Sequence, residues 1–288
     1  MIAIIILNYN SFSDCSKCIS FIKQQRGIQY EIIVVDNCSK PNDVEQLRLF
    51  CQNEECTLLE SKENKGYNAG NNIGLRYAAT RGYKYALIVN PDIEIVQQEY
   101  LVNLARIMER DDQTVVVGTD IINTKNIHQN PMMPDGNWKH QFGWMKGLLR
   151  RRNENIDTYD FIDNYKESHY CHKVSGCCFL IRMSFLQSID FFDEYPFLYC
   201  EEAILSQQVK QAGYKMFYEA NFQVVHRHIS SEKGNQAVRF KHWKRSRIYF
   251  YNKYSGDSWL GKKISVISMV MYVYTYLLYS RAKIYNNK

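Results

Sequence analysis

The chain has 288 residues, 45% hydrophobic and 14% aromatic, with 36 Lys/Arg against 30 Asp/Glu. That length is enough for a sizeable core, and the composition excludes a disordered chain. Charge is unevenly spread: residues 229–288 hold 12 Lys/Arg against Glu232 and Asp257 alone, while residues 1–228 hold 24 against 28. An anionic partner is therefore expected to meet the tail.

Taken in order, Ile2 to Leu7 is a continuous apolar run of strand length, buried on both faces. It reaches Asn8 without a cleavage pattern, so no signal peptide is expected. The nine cysteines follow no regular framework, which points to reduced thiols in the cytosol. Cys15-x-x-Cys18 lacks the nearby second pair that a zinc site needs. With Ile19 and Ile22 it falls at helical spacing and reads as a core face.

Glu31 to Val35 is a second buried strand, ending in Asp36-Asn37-Cys38-Ser39. A helix over about 43–52, a short strand at Thr57–Leu59 and a helix over Asn68–Arg81 follow. Tyr85 to Val89 is another buried strand and ends in Asn90-Pro91-Asp92. This βαβαβ rhythm predicts an α/β fold: an open, mostly parallel sheet with helices on both faces. Ligands in such sheets bind beyond the carboxyl ends of the strands. Here those ends carry Asn8 and Asn10, Asp36, and Asn90 with Asp92. Turn formation explains one such cluster; three in succession favour a binding crevice.

Residues 120–170 interrupt the rhythm and hold Trp138, Trp144 and Arg150-Arg-Arg152, the character of a functional loop. Regular structure resumes with Val174–Ile181, a helix over Glu201–Ala212 and two short strands around Met216–Val225.

Four groups could carry chemistry. Asp92, after a rigid proline at a strand end, suits a hard divalent cation that also takes diphosphate oxygens. Glu201 and Glu202 open a helix, where they either complement its dipole or supply a general base. His226, after Val224-Val225, is either structural or a neutral imidazole donor to a metal. Asn64-Lys65-Gly66-Tyr67-Asn68-Ala69-Gly70 offers close backbone approach and side-chain amides, and lacks the dinucleotide G-x-G-x-x-G pattern.

Together these motifs resemble the inverting glycosyltransferases of family 2. The likeness rests on I-L-N-Y-N at 6–10, V-V-D-N at 34–37, N-K-G-Y-N-A-G-N-N-I-G at 64–74 and N-P-D at 90–92. It continues in V-S-G-C-C-F-L-I-R at 174–182, F-D-E at 192–194, the Glu201-Glu202 pair and the later histidine, and covers about residues 1–230. It is strongest to the rhamnosyltransferase-like bacterial branch that builds O-antigen and capsule glycans.

The resemblance implies a GT-A fold over residues 1–230, with 120–170 as an acceptor-side insertion. It implies nucleotide-sugar contacts around Asn8, Asn10, Asp36, Asn64, Gly66, Asn68 and Asn90. Asp36 would contact the nucleotide base or ribose. Asp92 would be the metal-binding aspartate and His226 the second ligand, for Mn2+ or Mg2+. Glu202 would be the catalytic base, with Glu201 as its competitor. Trp138 and Trp144 are candidates for the acceptor site, since aromatic faces suit the apolar faces of sugars. Two departures stand out: Asn90 replaces the first aspartate of D-x-D, and Glu202 stands where aspartate is commoner. The donor expected is dTDP-rhamnose or a UDP-sugar.

Residues 231–288 read as a basic helical tail. Ile264 to Tyr279 gives 16 uncharged residues, which as a helix span about 24 Å, short of a ~30 Å hydrocarbon core. Ser265, Ser268, Tyr272, Thr275 and Tyr279 share one face, and Ile264, Ile267, Met271, Tyr274 and Leu278 another. A helix lying in the membrane interface fits this pattern; a core or dimer helix is the alternative. No nucleic-acid module accompanies the basic run at 239–247.

The expectation is therefore a cytoplasmic enzyme, peripheral on the inner face of the membrane, with a lipid-linked oligosaccharide acceptor. A homo-oligomer remains open. The rival readings are a nucleotidyltransferase and a non-catalytic glycan- or lipid-binding protein. The first would carry a glycine-rich basic loop after the first strand, where Asn8-Tyr-Asn-Ser-Phe12 stands instead.

Overall fold

In a computed structural model, residues 1–135, 138–143, 145, 163–227 and 236–286 are described. Trp144, Arg150 to Arg152 and His228 lie outside them.

The first half follows the expected rhythm: β1 (Ile2–Asn8), α1 (Phe12–Ile22), β2 (Tyr30–Asp36), α2 (Pro41–Asn53), β3 (Thr57–Glu60), α3 (Tyr67–Thr80) and β4 (Tyr85–Val89). Next come β5 (Ile93–Glu94), α4 (Tyr100–Arg110) and β6 (Thr114–Asn123). The remainder is β7 (His169–Cys171), β8 (Cys178–Arg182), α5 (Met183–Ser188), α6 (Glu201–Gln211), β9 (Lys215–His226), α7 (Gln236–Lys253) and α8 (Trp259–Asn286).

The strands form one sheet in the order β3-β2-β1-β4-β8-β6-β9-β5, with β7 on β9. Its first four strands are parallel, and β8 joins β4 antiparallel. β6 and β9 run in the same direction as β1–β4, so the sheet is mostly parallel, with β8, β5 and β7 running the other way. Where two short strands were expected around Met216–Val225, one 12-residue strand runs through, its register on β6 shifting at Thr119/Asp120.

β1 shows why the sheet is covered on both sides. Ile2, Ile4 and Ile6 enter one core cluster with Cys15, Cys18, Ile19 and Ile22 of α1, while Ala3 and Ile5 enter another with Leu75 and Ala78 of α3. Each buried isoleucine contributes about 1.5–3 kcal/mol, and the two faces use alternate residues of the same strand. The core-face reading of Cys15 and Cys18 is confirmed by this packing. A third cluster joins Cys200, Ala203 and Ile204, at the start of α6, to Phe250, Tyr251 and Tyr254 and to Met269 and Val273 of α8. The basic tail is therefore docked on the helix that begins with Glu201.

Because β1 lies between β2 and β4, the chain departs from it in opposite directions and leaves a crevice at their carboxyl ends. Register sets what faces that crevice: Asn8 pairs with Asp36 at the last step of β1–β2.

Candidate active site

Asp36 is buried and held in place. The Asn8 amide donates to its Oδ1 at 3.1 Å and to Asp43 Oδ2 at 2.8 Å, and the Ser39 N–H donates to its other oxygen at 3.0 Å. Asn10 accepts from the Lys40 N–H at 2.8 Å, with a left-handed φ of 53°. Asn8 and Asn10 thus clasp the β1 and β2 loops together around Asp36.

The 64–74 motif is also largely spent on the protein. Asn64 Oδ1 accepts from the Gly66 N–H at 2.9 Å and from Asn37 at 3.1 Å. Asn68 donates to the Asp193 carbonyl at 2.8 Å; Asn72 donates to the Phe192 carbonyl and to Glu194, each at 2.8 Å. Gly66 sits at φ 102°, where a Cβ would lie 2.2 Å from the Phe197 carbonyl oxygen. Asn68 and Asn72 staple α3 to the segment that leads into α6. That segment ends with Tyr199 and Cys200 both left-handed, at φ 73° and 70°, conformations that a non-glycine residue holds at a cost and that concentrate at functional sites.

Glu201 and Glu202 then open α6. Glu202 Oε1 accepts from the Gly176 N–H at 3.2 Å. Glu201 has its Oε1 sealed from solvent. Burial, and then the charge of Glu202, push the Glu201 carboxyl up to about 8. Both line a small cavity with Tyr67, Asn68, Gly176 and Phe192. Tyr67 OH donates to the Gly176 carbonyl at 2.6 Å.

The opposite wall is built by the turn after β4. The Asn90 N–H donates to the Cys177 carbonyl at 2.8 Å. Gly176 and Cys177, adjacent in sequence, therefore touch the carboxylate pair on one side and the Asn90-Pro91-Asp92 turn on the other. Antiparallel pairing of β5 with β9 sets Ile93 opposite His226. This closes a separation of more than a hundred residues and leaves His226 Nε2 at 3.2 Å from Asp92 Oδ2. His226 Nδ1 lies 2.8 Å from Gln129 Oε1, so the ring's other nitrogen is the one presented to Asp92.

This pair fits a divalent cation. An imidazole nitrogen and a carboxylate oxygen converge, and the ring is oriented by a second hydrogen bond, as metal-bound histidines usually are. Among the described residues no cluster of three ligating side chains occurs. The protein thus offers two donors, and a diphosphate ligand and water would complete the set, which suits a hard cation.

Trp138 occupies a short 3-10 turn (Trp138–His140) and packs on α8, where a Cβ on Gly261 would lie 2.6 Å from its Cδ1. Trp144 lies outside the described residues. Three contributors carry no role in the sequence reading: Gln129, Gly176 and Asp193. Asp193 is nearly buried, and its Oδ2 accepts from Tyr249 OH (2.7 Å), Tyr254 OH (2.5 Å) and Lys253 Nζ (2.8 Å). Burial alone would raise its carboxyl; the hydrogen bond from Lys253, then those from Tyr254 and others, hold it below the ordinary range.

At the switch point of this sheet, Gly176 and Cys177 link the start of α6, with Glu201 and Glu202, to the turn that carries Asp92 and its contact to His226. Three solved structures share the architecture. GalNAc-T7 with UDP, GalNAc and Mn2+ superposes at a TM-score of 0.63 (14% identity, 93% of this chain, 54% of that chain). The mannosyltransferase PcManGT from Pyrobaculum calidifontis, with GDP-Man and Mn2+, gives 0.59 (14%, 98% and 79%). S. aureus TarS 1-349 in complex with UDP gives 0.56 (12%, 93% and 70%). The fold is GT-A.

The family model for glycosyl transferase family 2 matches residues 3–190, and the chain belongs to that family. It is 29% identical over 203 residues to the low-salt glycan biosynthesis hexosyltransferase Agl10 of Haloferax volcanii, covering 70% of this chain and 59% of that protein. It is 25% identical over 208 residues to rhamnosyltransferase WbbL of Escherichia coli K12, covering 68% and 72%. The chain therefore spans less than two thirds of Agl10.

Proposed function

We propose that this chain transfers a sugar from a nucleoside-diphosphate donor to an acceptor hydroxyl in a single inverting displacement. The observation that carries this reading is the convergence of Asp92 and His226 at 3.2 Å, brought about by the β5–β9 pairing. The family and the fold give it context.

The residues divide the work by position. Asp36, fixed by Asn8 and Ser39, presents a carboxylate to the nucleoside. Asp92 and His226 would hold Mn2+ or Mg2+ against the diphosphate, and a cation there would offset charge on the departing nucleoside diphosphate. Glu202, held by the Gly176 N–H, takes the proton of the acceptor hydroxyl as its oxygen bonds to the anomeric carbon. The bond from that carbon to the diphosphate oxygen breaks on the opposite face. Glu201, kept protonated at neutral pH by burial, lies beside it and limits the negative charge at the helix start.

The donor is dTDP-rhamnose or a UDP-hexose, in keeping with the likeness to a rhamnosyltransferase and a hexosyltransferase. The acceptor is a lipid-linked glycan of bacterial surface polysaccharide (O-antigen or capsule) synthesis, met at the inner face of the cytoplasmic membrane. The basic composition of residues 229–288 supports that setting. Trp138, and with it Trp144, would border the acceptor side. The stereochemistry of the product tests the displacement: the glycosidic bond should have the anomeric configuration opposite to the donor's, and retention would contradict the mechanism.

A further inference from the structure

α8 is apolar on its outward side as well as on the side that packs against the protein. The side turned into the protein mixes hydroxyl-bearing and apolar residues: Ser265 is 0%, Ser268 1%, Met269 5% and Val273 7% exposed, Gly261 lies against Trp138, and Ser268 Oγ donates to the Gln141 carbonyl at 2.7 Å. The outward side has Leu260 59%, Ile267 55%, Met271 43% and Tyr274 61% exposed. These four recur at seven, four and three residues and form one stripe. It is about 21 Å long at 1.5 Å per residue. The inward apolar residues Met269 and Val273 already anchor the helix on the protein, so this outward stripe is a second apolar face, of the kind that marks a contact surface.

The stripe could meet lipid or a second copy of the chain, and charge separates the two. From Trp259 to Asn286 the helix contains no acidic residue. Lys263 lies 5.9 Å from the Trp259 ring and Lys244 of α7 lies 5.9 Å from the Tyr274 ring. A two-fold interface through this face would bring each cationic edge against itself. An anionic lipid surface complements the same edge, and Trp259 and Tyr274, near either end of the stripe, are of the residue types that settle at headgroup level. No helix among the described residues is long and apolar enough to cross a membrane, which agrees with a helix lying on the surface.

We infer that the outward face of α8, centred on Ile267 and Met271, is a membrane-contact surface for anionic phospholipid. This deepens the proposed function by naming the face that brings the enzyme to a lipid-linked acceptor. The opposite face of the helix holds the Trp138–Gln141 segment, so lipid contact and the expected acceptor side share one element.

The test uses the full chain and a triple variant, Leu260→Gln/Ile267→Gln/Met271→Gln. All three positions are exposed and lie outside the catalytic and nucleotide-binding residues. Co-sedimentation with phosphatidylethanolamine–phosphatidylglycerol vesicles should show parent binding that weakens with salt, and at least about tenfold weaker partitioning of the variant. Phosphatidylcholine vesicles should bind the parent less. Nucleoside-diphosphate release without vesicles should be the same for both chains, so a failed membrane inference stays distinguishable from a failed transferase reading. Equal vesicle binding by parent and variant would overturn the inference. So would a parent dimer that the variant converts to monomer while vesicle binding is retained.

Discussion

His226 Nε2 lies 3.2 Å from Asp92 Oδ2, a contact made by two residues far apart in sequence and brought together by the pairing of a two-residue strand, β5, with the last two residues of β9. Gln129 fixes the other ring nitrogen at 2.8 Å. If this is the cation site, orientation of the ring contributes to affinity. Gln129→Leu should weaken Mn2+ binding in the presence of nucleoside diphosphate by about 10–100-fold, read by calorimetry, with the fold unchanged. Unaltered Mn2+ affinity in both Gln129→Leu and His226→Ala would place the cation elsewhere.

Glu202 is held by a backbone N–H at the start of α6. As the general base its conversion to Gln should lower turnover by about 10²–10⁴ at saturating acceptor, with donor KM little changed. If Glu202→Gln retains full turnover while Glu201→Gln loses it, the roles of the two are exchanged.

Glu201 also makes a prediction about stability. Its carboxyl is pushed up to about 8 by burial and then by Glu202, whereas an unfolded glutamate titrates near its ordinary value, about 4.3. Between those values the native state binds more protons than the unfolded chain, so stability falls as pH rises through this window. Glu201→Gln removes that term. Thermal unfolding of the parent should lose more Tm between about pH 5 and pH 9 than the variant does. Parallel Tm curves would show that Glu201 is not held neutral in the folded chain.

Asp193 ties the segment before α6 to α7 through Tyr249, Lys253 and Tyr254. Asp193→Ala leaves two tyrosine hydroxyls and an ammonium without their acceptor and should cost about 2–3 kcal/mol in denaturant unfolding. A second consequence concerns the tail: removing residues 231–288 would uncover Cys200, Ala203 and Ile204 beside the carboxylate pair. The tail is therefore better probed by surface substitutions than by deletion. A cost below about 0.5 kcal/mol, the level of an ordinary surface change, would mean that the three contacts do not hold the segment.

The strands β1, β2 and β4 were legible because a central parallel strand buried on both faces must be continuously apolar, as Ile2 to Leu7 and Tyr85 to Val89 are. Asp36 and Asp92 were legible as polar ends of those strands. α4 was passed over although Leu101, Leu104, Ala105 and Met108 carry helical spacing, and β6 although Val115 to Val117 is a strand-like run. No element was assigned between Asp92 and residue 120. The roles of Asn68 and Asn72 were not legible, because a side-chain amide after a glycine suits a ligand and a backbone carbonyl equally well. Only the tertiary placement of Phe192 and Asp193 decides it. In α8, periodicity set Ser265 and Ser268 apart from Ile267, Met271 and Tyr274, but it does not say which residues turn inward: Ser265 and Ser268 do so together with Met269 and Val273.

Metal-dependent sugar transfer from a nucleotide donor is the function proposed for this chain. It is tested most directly by measuring nucleoside-diphosphate release from a panel of nucleotide sugars, with and without manganese, in the parent and in Asp92→Asn. Release from dTDP-rhamnose or a UDP-hexose should require the metal and fall by at least about a hundredfold in the variant. Release of pyrophosphate from nucleoside triphosphates instead, or manganese-independent release that Asp92→Asn leaves intact, would contradict it.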